Sequence, residues 1–209
     1  MKKGFFITFE GPDGSGKTTV TKLVVDKLIE QGYEVVLTRE PGGIEIAEQI
    51  RNVILDSKNT KMDGKTEALL YAASRRQHLV EKVIPAINNN KIVICDRFVD
   101  SSLAYQGYAR NLGFEDVLKI NDFAIGDLYP DLTIYLDVDE ETGLKRVNSR
   151  NEKKDRLDSE SSAFHHKVVE GYKEVVKRFQ DRIKVVDASK NIEDVVNESF
   201  NIIIKYIND

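Results

Sequence analysis

Apolar residues in this chain follow two alternating patterns. Short unbroken runs rich in Val, Ile and Phe, suited to strands buried on both faces, are separated by longer segments whose apolar positions recur every three or four residues. Phe5–Phe9 is the first such run and leads straight into glycines. After it, Val20, Leu23, Val24 and Leu28 lie at helical spacing, and Gly32 sits where that helix would stop. Val35–Thr38 reads as a second strand, Ile92–Cys95 as a third, Leu132–Leu136 as a fourth behind the boundary mark of Pro130, and Ile183–Val186 as a fifth. Helical spacing covers Thr66 to Asn89, with Leu69, Leu70 and Ala73 on one side and Pro85 placed to kink or divide it. It returns over Glu140 to Arg150, Phe164 to Phe179 and Ile192 to Ile207. The polar stretch from Asn148 to Glu160 has no periodicity and is expected to be a mobile surface segment. The alternation predicts an α/β domain with a mainly parallel sheet, and no repeat or linker divides residues 1–209.

Charge and cysteine content narrow the functional classes. Lys and Arg total 31 against 35 Asp and Glu, a formal net charge of -4, so nothing global points to nucleic acid or a membrane surface. An anionic ligand must then meet a local basic cluster. The single cysteine, Cys95, excludes an intramolecular disulfide and fits a reducing, cytoplasmic address. The apolar run behind Lys2 and Lys3 ends after five residues in a glycine-rich loop, too short for a signal peptide or a membrane span.

That loop carries the first chemistry. Gly11-Pro12-Asp13-Gly14-Ser15-Gly16-Lys17-Thr18 matches G-x-x-x-x-G-K-[ST], and it stands where the motif works, after a strand and opening a helix. Its glycines let backbone N–H groups turn around a β-phosphate, Lys17 bridges phosphate oxygens, and the Thr18 hydroxyl can ligate Mg²⁺. A nucleoside triphosphate site follows, open among switch GTPases, ATP-driven machines and small-molecule kinases. The only Asn-Lys pair, Asn90-Lys91, runs into a strand rather than the Asn-Lys-x-Asp of a guanine reader, and a nucleic-acid motor would need basic tracts that are missing. A compact kinase leads. Asp13 is the odd member, a carboxylate among groups meant for anions.

Four further blocks bear on the acceptor: Thr38-Arg39-Glu40-Pro41-Gly42-Gly43, Leu70-Tyr71-Ala72-Ala73-Ser74-Arg75-Arg76, Asp96-Arg97-Phe98 and Ser101-Ser102-Leu103-Ala104-Tyr105-Gln106-Gly107. With the phosphate loop and Asp155-Arg156-Leu157, their order and spacing closely resemble the thymidylate kinase family over essentially the whole chain. The resemblance implies a P-loop kinase fold, a five-stranded parallel sheet flanked by helices, with a mobile lid at about 150–161. It also implies Mg²⁺-dependent transfer of the γ-phosphoryl group of ATP to thymidine monophosphate, on the way to the triphosphate, by a homodimer.

The same resemblance assigns roles. Tyr71 and Arg75, at i and i+4 on one helix face, match the aromatic that stacks on thymine and the Arg that bonds its edge; Tyr stands where the family's phenylalanine is expected. Arg39, Arg51 and Arg97 are candidates for the acceptor's 5′-phosphate, with Arg97 resembling the catalytic arginine and Asp96 positioning Mg²⁺ directly or through water. Ser102, Tyr105 and Gln106 resemble the segment closing over the nucleoside, where Tyr105 crowds the sugar's 2′ position. Asp13 matches an acidic contact to the acceptor's 3′-hydroxyl. Glycine at position 14 matches members that supply a catalytic arginine from the lid, which makes Arg150 and Arg156 candidates, with Lys153 and Lys154 behind them. His78, His165, His166 and Cys95 read as structural residues.

Overall fold

The structure, a computed structural model, describes residues 4–148 and 155–209. Its five strands are β1 (Phe5–Glu10), β2 (Val35–Arg39), β3 (Ile92–Asp96), β4 (Leu132–Asp137) and β5 (Ile183–Asp187). All pairings are parallel, in the order β2-β3-β1-β4-β5. The helices are α1 (Lys17–Glu30), α2 (Glu45–Leu55), α3 (Gly64–His78), α4 (Ile84–Asn88), α5 (Val99–Ser102), α6 (Phe114–Ile125), α7 (Glu140–Asn148), α8 (Ser162–Arg178) and α9 (Ile192–Asn208).

Alternation along each strand divides the core between the two faces of the sheet. Phe6, Val93 and Tyr135 pack with Val117, Val168 and Tyr172 of α6 and α8, while Ile7, Ile94 and Ile134 pack with Val24, Leu28 and Val196 of α1 and α9. Covering both faces explains why the inner strands β1, β3 and β4 read as nearly unbroken apolar runs. The carboxyl ends of β1 and β3 lie side by side, with Phe9 opposite Asp96, so the phosphate loop and the Asp96-Arg97 block emerge at the same edge. In an open parallel sheet this is where ligands bind.

Three departures from the sequence pattern have physical causes. The helical stretch around Pro85 is not divided: a π-helical turn, Leu79–Val83, joins α3 to α4. Pro85 has no N–H to donate and its ring would crowd the carbonyl one turn back, which a wider turn relieves. A second π-helical segment, Leu103–Ala109, follows α5. The third concerns the polar stretch expected on the surface. Its described part turns inward: Arg156 and Leu157 are buried, and Arg156 donates from Nε to the Ile54 carbonyl at 2.8 Å and from Nη2 to Glu67 at 2.5 Å. The buried Glu67 carboxylate draws it in, since a buried charge must be paired. Arg150, Lys153 and Lys154 lie outside the described residues.

The phosphate loop is seated against α7 at one close approach. Gly14 has φ 80°, and a Cβ there would collide with the backbone carbonyl of Gly143; a Cβ on Gly143 would in turn stand 2.8 Å from the Asp13 carbonyl oxygen. Backbone meets backbone because neither residue has a side chain.

Within α5, Asp100 is 1% exposed and held bidentately by Arg182, whose Nη1 and Nη2 donate at 2.7 and 2.6 Å, with Nη1 also reaching the Thr133 hydroxyl at 2.8 Å. Arg182→Ala strands that carboxylate and should destabilise the chain by about 3–5 kcal/mol in urea unfolding. A loss below about 1 kcal/mol, the range of a surface pair, would contradict this account.

Candidate active site

Lys17 is the first residue of α1, and the loop curls over its ammonium. Nζ donates to the carbonyls of Gly11 and Pro12, both at 2.8 Å, and to Ser15 Oγ at 3.3 Å. Burial, then the nearby Arg97 charge, pull its pKa down to about 8. Thr18, next along, donates its hydroxyl to Asp96 Oδ2 at 2.8 Å, which brings together the two residues expected at a metal. Asp96 Oδ1 is buried and has no hydrogen-bond partner among the described residues. A hydroxyl and a carboxylate with one unsatisfied oxygen are hard donors that fit Mg²⁺.

Arg97 leaves the end of β3 with φ 71°, a conformation costly for a side chain of this size and one that clusters at functional sites. Several bonds fix it there. Its N–H donates to the Phe9 carbonyl at 2.9 Å; Nη2 donates to Asp13 Oδ1 at 2.5 Å and to the Tyr105 hydroxyl at 3.3 Å; Nη1 reaches Ser101 Oγ and the Tyr172 hydroxyl, both at 3.1 Å, and the Gly11 carbonyl at 3.3 Å. Under this guanidinium lies Glu10, which accepts from the Phe98 and Ser101 N–H groups at 2.6 and 3.2 Å and from the Ser101 and Tyr172 hydroxyls at 2.6 and 2.9 Å.

Asp13 does not bond merely to nearby amides. Its second oxygen accepts from the Tyr105 hydroxyl at 2.7 Å, so the carboxylate links the loop to both Arg97 and Tyr105. Burial works to raise its pKa, but Arg97 and Lys17 pull it down to about 2. The odd carboxylate thus organises cations.

Two cavities meet at this point. One, of about 230 Å³, is lined by Tyr71, Arg75, Ser102, Tyr105 and Gln106 together with Asp13, Arg51 and Arg97. The other, of about 150 Å³, is lined by Gly14, Gly16, Lys17, Thr18, Arg39 and Asp96, again with Asp13, Arg51 and Arg97. Arg39 and Arg51 converge on one acceptor, the Pro41 carbonyl, at 2.7 and 2.9 Å. Burial, then Arg39, push the Arg51 pKa down, which marks a crowd of cations that an anion would relieve.

At the far end of the larger cavity Arg75 is 2% exposed, so it is no solvated charge. It rests over the Phe98 ring at 5.0 Å, donates from Nε to Glu40 at 2.7 Å and from Nη1 to Ser102 Oγ at 3.2 Å, and bonds Asn121. Gln106 donates to Glu67 at 2.8 Å, the same carboxylate that holds Arg156. Arg156 itself lines neither cavity, although Asp155, Leu157 and Asp158 line the larger one.

Glu10, Glu40, Glu67, Asn121 and Tyr172 are site residues that sequence reasoning passed over. Tyr172 falls at helical spacing with Phe164 and Val168 and reads as core, which its ring is; only its hydroxyl belongs to the site. The signal available for Glu10 and Glu40 was position, each directly at or after a strand end.

The family model for thymidylate kinase matches residues 9–199. The thymidylate kinase of Staphylococcus haemolyticus is 57% identical over 97% of this chain and 98% of that protein, and that of Bacillus velezensis is 59% identical over 96% and 95%. The crystal structure of thymidylate kinase from Ehrlichia chaffeensis, 35% identical, superposes with a TM-score of 0.80 over 96% of this chain and 99% of that one.

The carboxylates give a pH dependence of stability. Burial, then Asp100, push the Glu10 pKa from 4.5 up to about 7. The folded chain therefore keeps a proton that the unfolded chain has released, and this contribution is full below 4.5 and lost as pH rises through about 7. Asp13 acts oppositely: its contribution is full above 3.8 and lost as pH falls through about 2. Comparing urea midpoints at about pH 5 and pH 7.5, Glu10→Gln should lose up to about 3 kcal/mol of the parent's pH dependence. Parallel pH profiles for parent and variant would show that Glu10 is not the titrating group.

Proposed function

The chain belongs to the thymidylate kinase family, and from that premise we propose that it transfers the γ-phosphoryl group of ATP to thymidine 5′-monophosphate with Mg²⁺, giving ADP and thymidine diphosphate. The observation that carries the reading is the pair of cavities sharing Asp13, Glu40, Arg51 and Arg97. One suits a nucleoside and the other a triphosphate tail, and cations line the seam where two anions must approach.

In this reading Tyr71 stacks on the base, Arg75 with Ser102 and Gln106 reads its edge, and Tyr105 crowds the 2′ position of the sugar. Each Asp13 oxygen has a second lone pair, so the acceptor's 3′-hydroxyl can donate there while Arg97 and Tyr105 keep their bonds. Arg39, Arg51 and Arg97 hold an acceptor phosphate of about -1.5 to -2 charges. That phosphate is already an anionic nucleophile, so no general base is needed and catalysis rests on alignment and charge neutralisation. Lys17 exchanges the Gly11 and Pro12 carbonyls for donor phosphate oxygens, and the loop amides from Gly11 to Thr18 cradle the rest. Thr18 and Asp96 would hold Mg²⁺, which when bound neutralises charge on the triphosphate. Arg150 and Arg156 are the lid-arginine candidates, and Arg156 would give up Glu67 to act.

With Mg²⁺-ATP and a panel of nucleoside monophosphates and nucleosides, ADP formation should be fastest with thymidine monophosphate, and Arg97→Ala should lower kcat by about 10³. No preference for thymidine monophosphate would overturn the reading.

The active unit we propose is a homodimer in the cytoplasm. Among the described residues no helix is long and apolar enough to cross a membrane. Neighbouring helices α2, α3 and α6 leave Val53, Leu69 and Phe123 exposed, Phe123 by 93%, an apolar face suited to a second copy. Sedimentation should find a parent dimer and a Phe123→Glu monomer; a monomeric parent at micromolar concentration would rule the assembly out.

A further inference from the structure

His78 is the last residue of α3, fully buried, and lines neither cavity. A residue that only fills a core needs no polar atoms, yet both ring nitrogens here are engaged. Nδ1 bonds Glu40 Oε1 at 2.9 Å and Nε2 bonds the Thr38 hydroxyl at 2.7 Å. The other oxygen of Glu40 accepts from Arg75 Nε at 2.7 Å. One carboxylate, 4% exposed, is thus stretched between an imidazole that touches no substrate cavity and a guanidinium that lines one. Loss of the imidazole would leave Oε1 as a buried acceptor without its partner, and the carboxylate would turn to recover one. Arg75 would move with it.

The same imidazole supports the other end of the acceptor site. The backbone at Gly43, φ 86°, passes so close that a Cβ there would stand 2.7 Å from Thr38 Oγ1 and 3.1 Å from His78 Nε2. Gly43 N–H donates to Glu48 Oε1 at 2.7 Å, and the same oxygen accepts from Arg39 Nη2 at 2.8 Å. The loop that carries Arg39 and the Pro41 carbonyl therefore rests on the Thr38–His78 bond.

We propose that His78 is a positioning residue for acceptor recognition: through Glu40 it fixes Arg75 at the nucleoside end of the larger cavity, and through Thr38 it seats the Arg39–Gly43 loop at the phosphate end. The span between these two ends is what a nucleoside monophosphate must match. The side chains of Lys17 and Thr18 bond outside this network, which borders the smaller cavity at Arg39 and Glu40, so its loss falls mainly on the acceptor. The inference rests on the functional reading above.

Steady-state kinetics of His78→Phe, which keeps volume and removes both bonds, should show KM for thymidine monophosphate raised about tenfold, with kcat and the KM for ATP within about twofold of the parent. His78→Asn, which retains a donor towards Glu40, should return to within about threefold, and Thr38→Val should move KM in the same direction by less. In an Arg75→Ala background His78→Phe should add no more than Thr38→Val does in the parent, because only the Thr38 route is left to lose. Unchanged acceptor KM in folded variants, or acceptor and ATP KM rising together, would reduce His78 to packing; if His78→Phe does not fold, His78→Asn and Thr38→Val decide. A parent that fails to phosphorylate thymidine monophosphate overturns the functional reading and this inference with it, whereas an active parent with indifferent variants overturns the inference alone.

Discussion

Arg97 carries a positive charge into the seam between two cavities, and a largely buried charge is tolerated only when it is answered on every side. The answers come from across the chain: Asp13 and the Gly11 carbonyl from the phosphate loop, Ser101 and Tyr105 from the segment after β3, and Tyr172 from α8. Glu10 at the end of β1 ties Ser101 and Tyr172 together from below. Distant parts of the sequence are therefore held at one guanidinium, and its left-handed backbone persists because so many partners determine it. Such a group needs little rearrangement when charge arrives beside it, which is the economical way to stabilise a phosphoryl transfer.

The same logic recurs along the acceptor cavity. Glu40 serves Arg75 and His78; Glu67 serves Gln106, Arg110 and Arg156. Each carboxylate is 4% exposed or less and each divides its oxygens among guanidinium, imidazole or amide partners. Removing one partner leaves a buried charge poorly compensated, so these clusters hold geometry more firmly than their net contribution to stability would suggest.

How far the fold could be read from the sequence follows from how its parts are buried. The inner strands β1, β3 and β4, covered on both faces, announce themselves as apolar runs; the edge strands β2 and β5, with Leu37 and Val185 exposed, still stand out by β-branched content, and all five were legible to within one residue at the carboxyl end. α2 and α6 were passed over although their apolar residues fall at helical spacing, Ile46, Ala47, Ile50, Val53 and Ile54 in α2; each is a short helix in a region where no strand marks its start. The π-helical turns at Leu79–Val83 and Leu103–Ala109 shift the helical register and defeat a fixed period. In the site, Arg39, Arg51, Tyr71, Arg75, Arg97 and Tyr105 line one cavity or both, because motif spacing encodes which groups leave which strand end, whereas Arg156, Gly11, Pro12 and Ser15 line neither. Their supports stayed hidden. Glu40, Glu67 and His78 are polar residues in the interior, and rules that send charge to the surface cannot find them.

The contact between Gly14 and Gly143 also constrains how the phosphate loop can change. A side chain at position 14 meets not a movable neighbour but the main chain of α7, and it would do so from a left-handed backbone. An arginine cannot be moved into the loop by one substitution; α7 would have to shift, and with it Arg146, whose guanidinium touches the carbonyls of Gly14 and Ala188 at 3.4 and 3.1 Å. A cationic side chain at position 14 therefore belongs to a different backbone, one in which α7 stands further from the loop, and no single substitution in this chain reaches it.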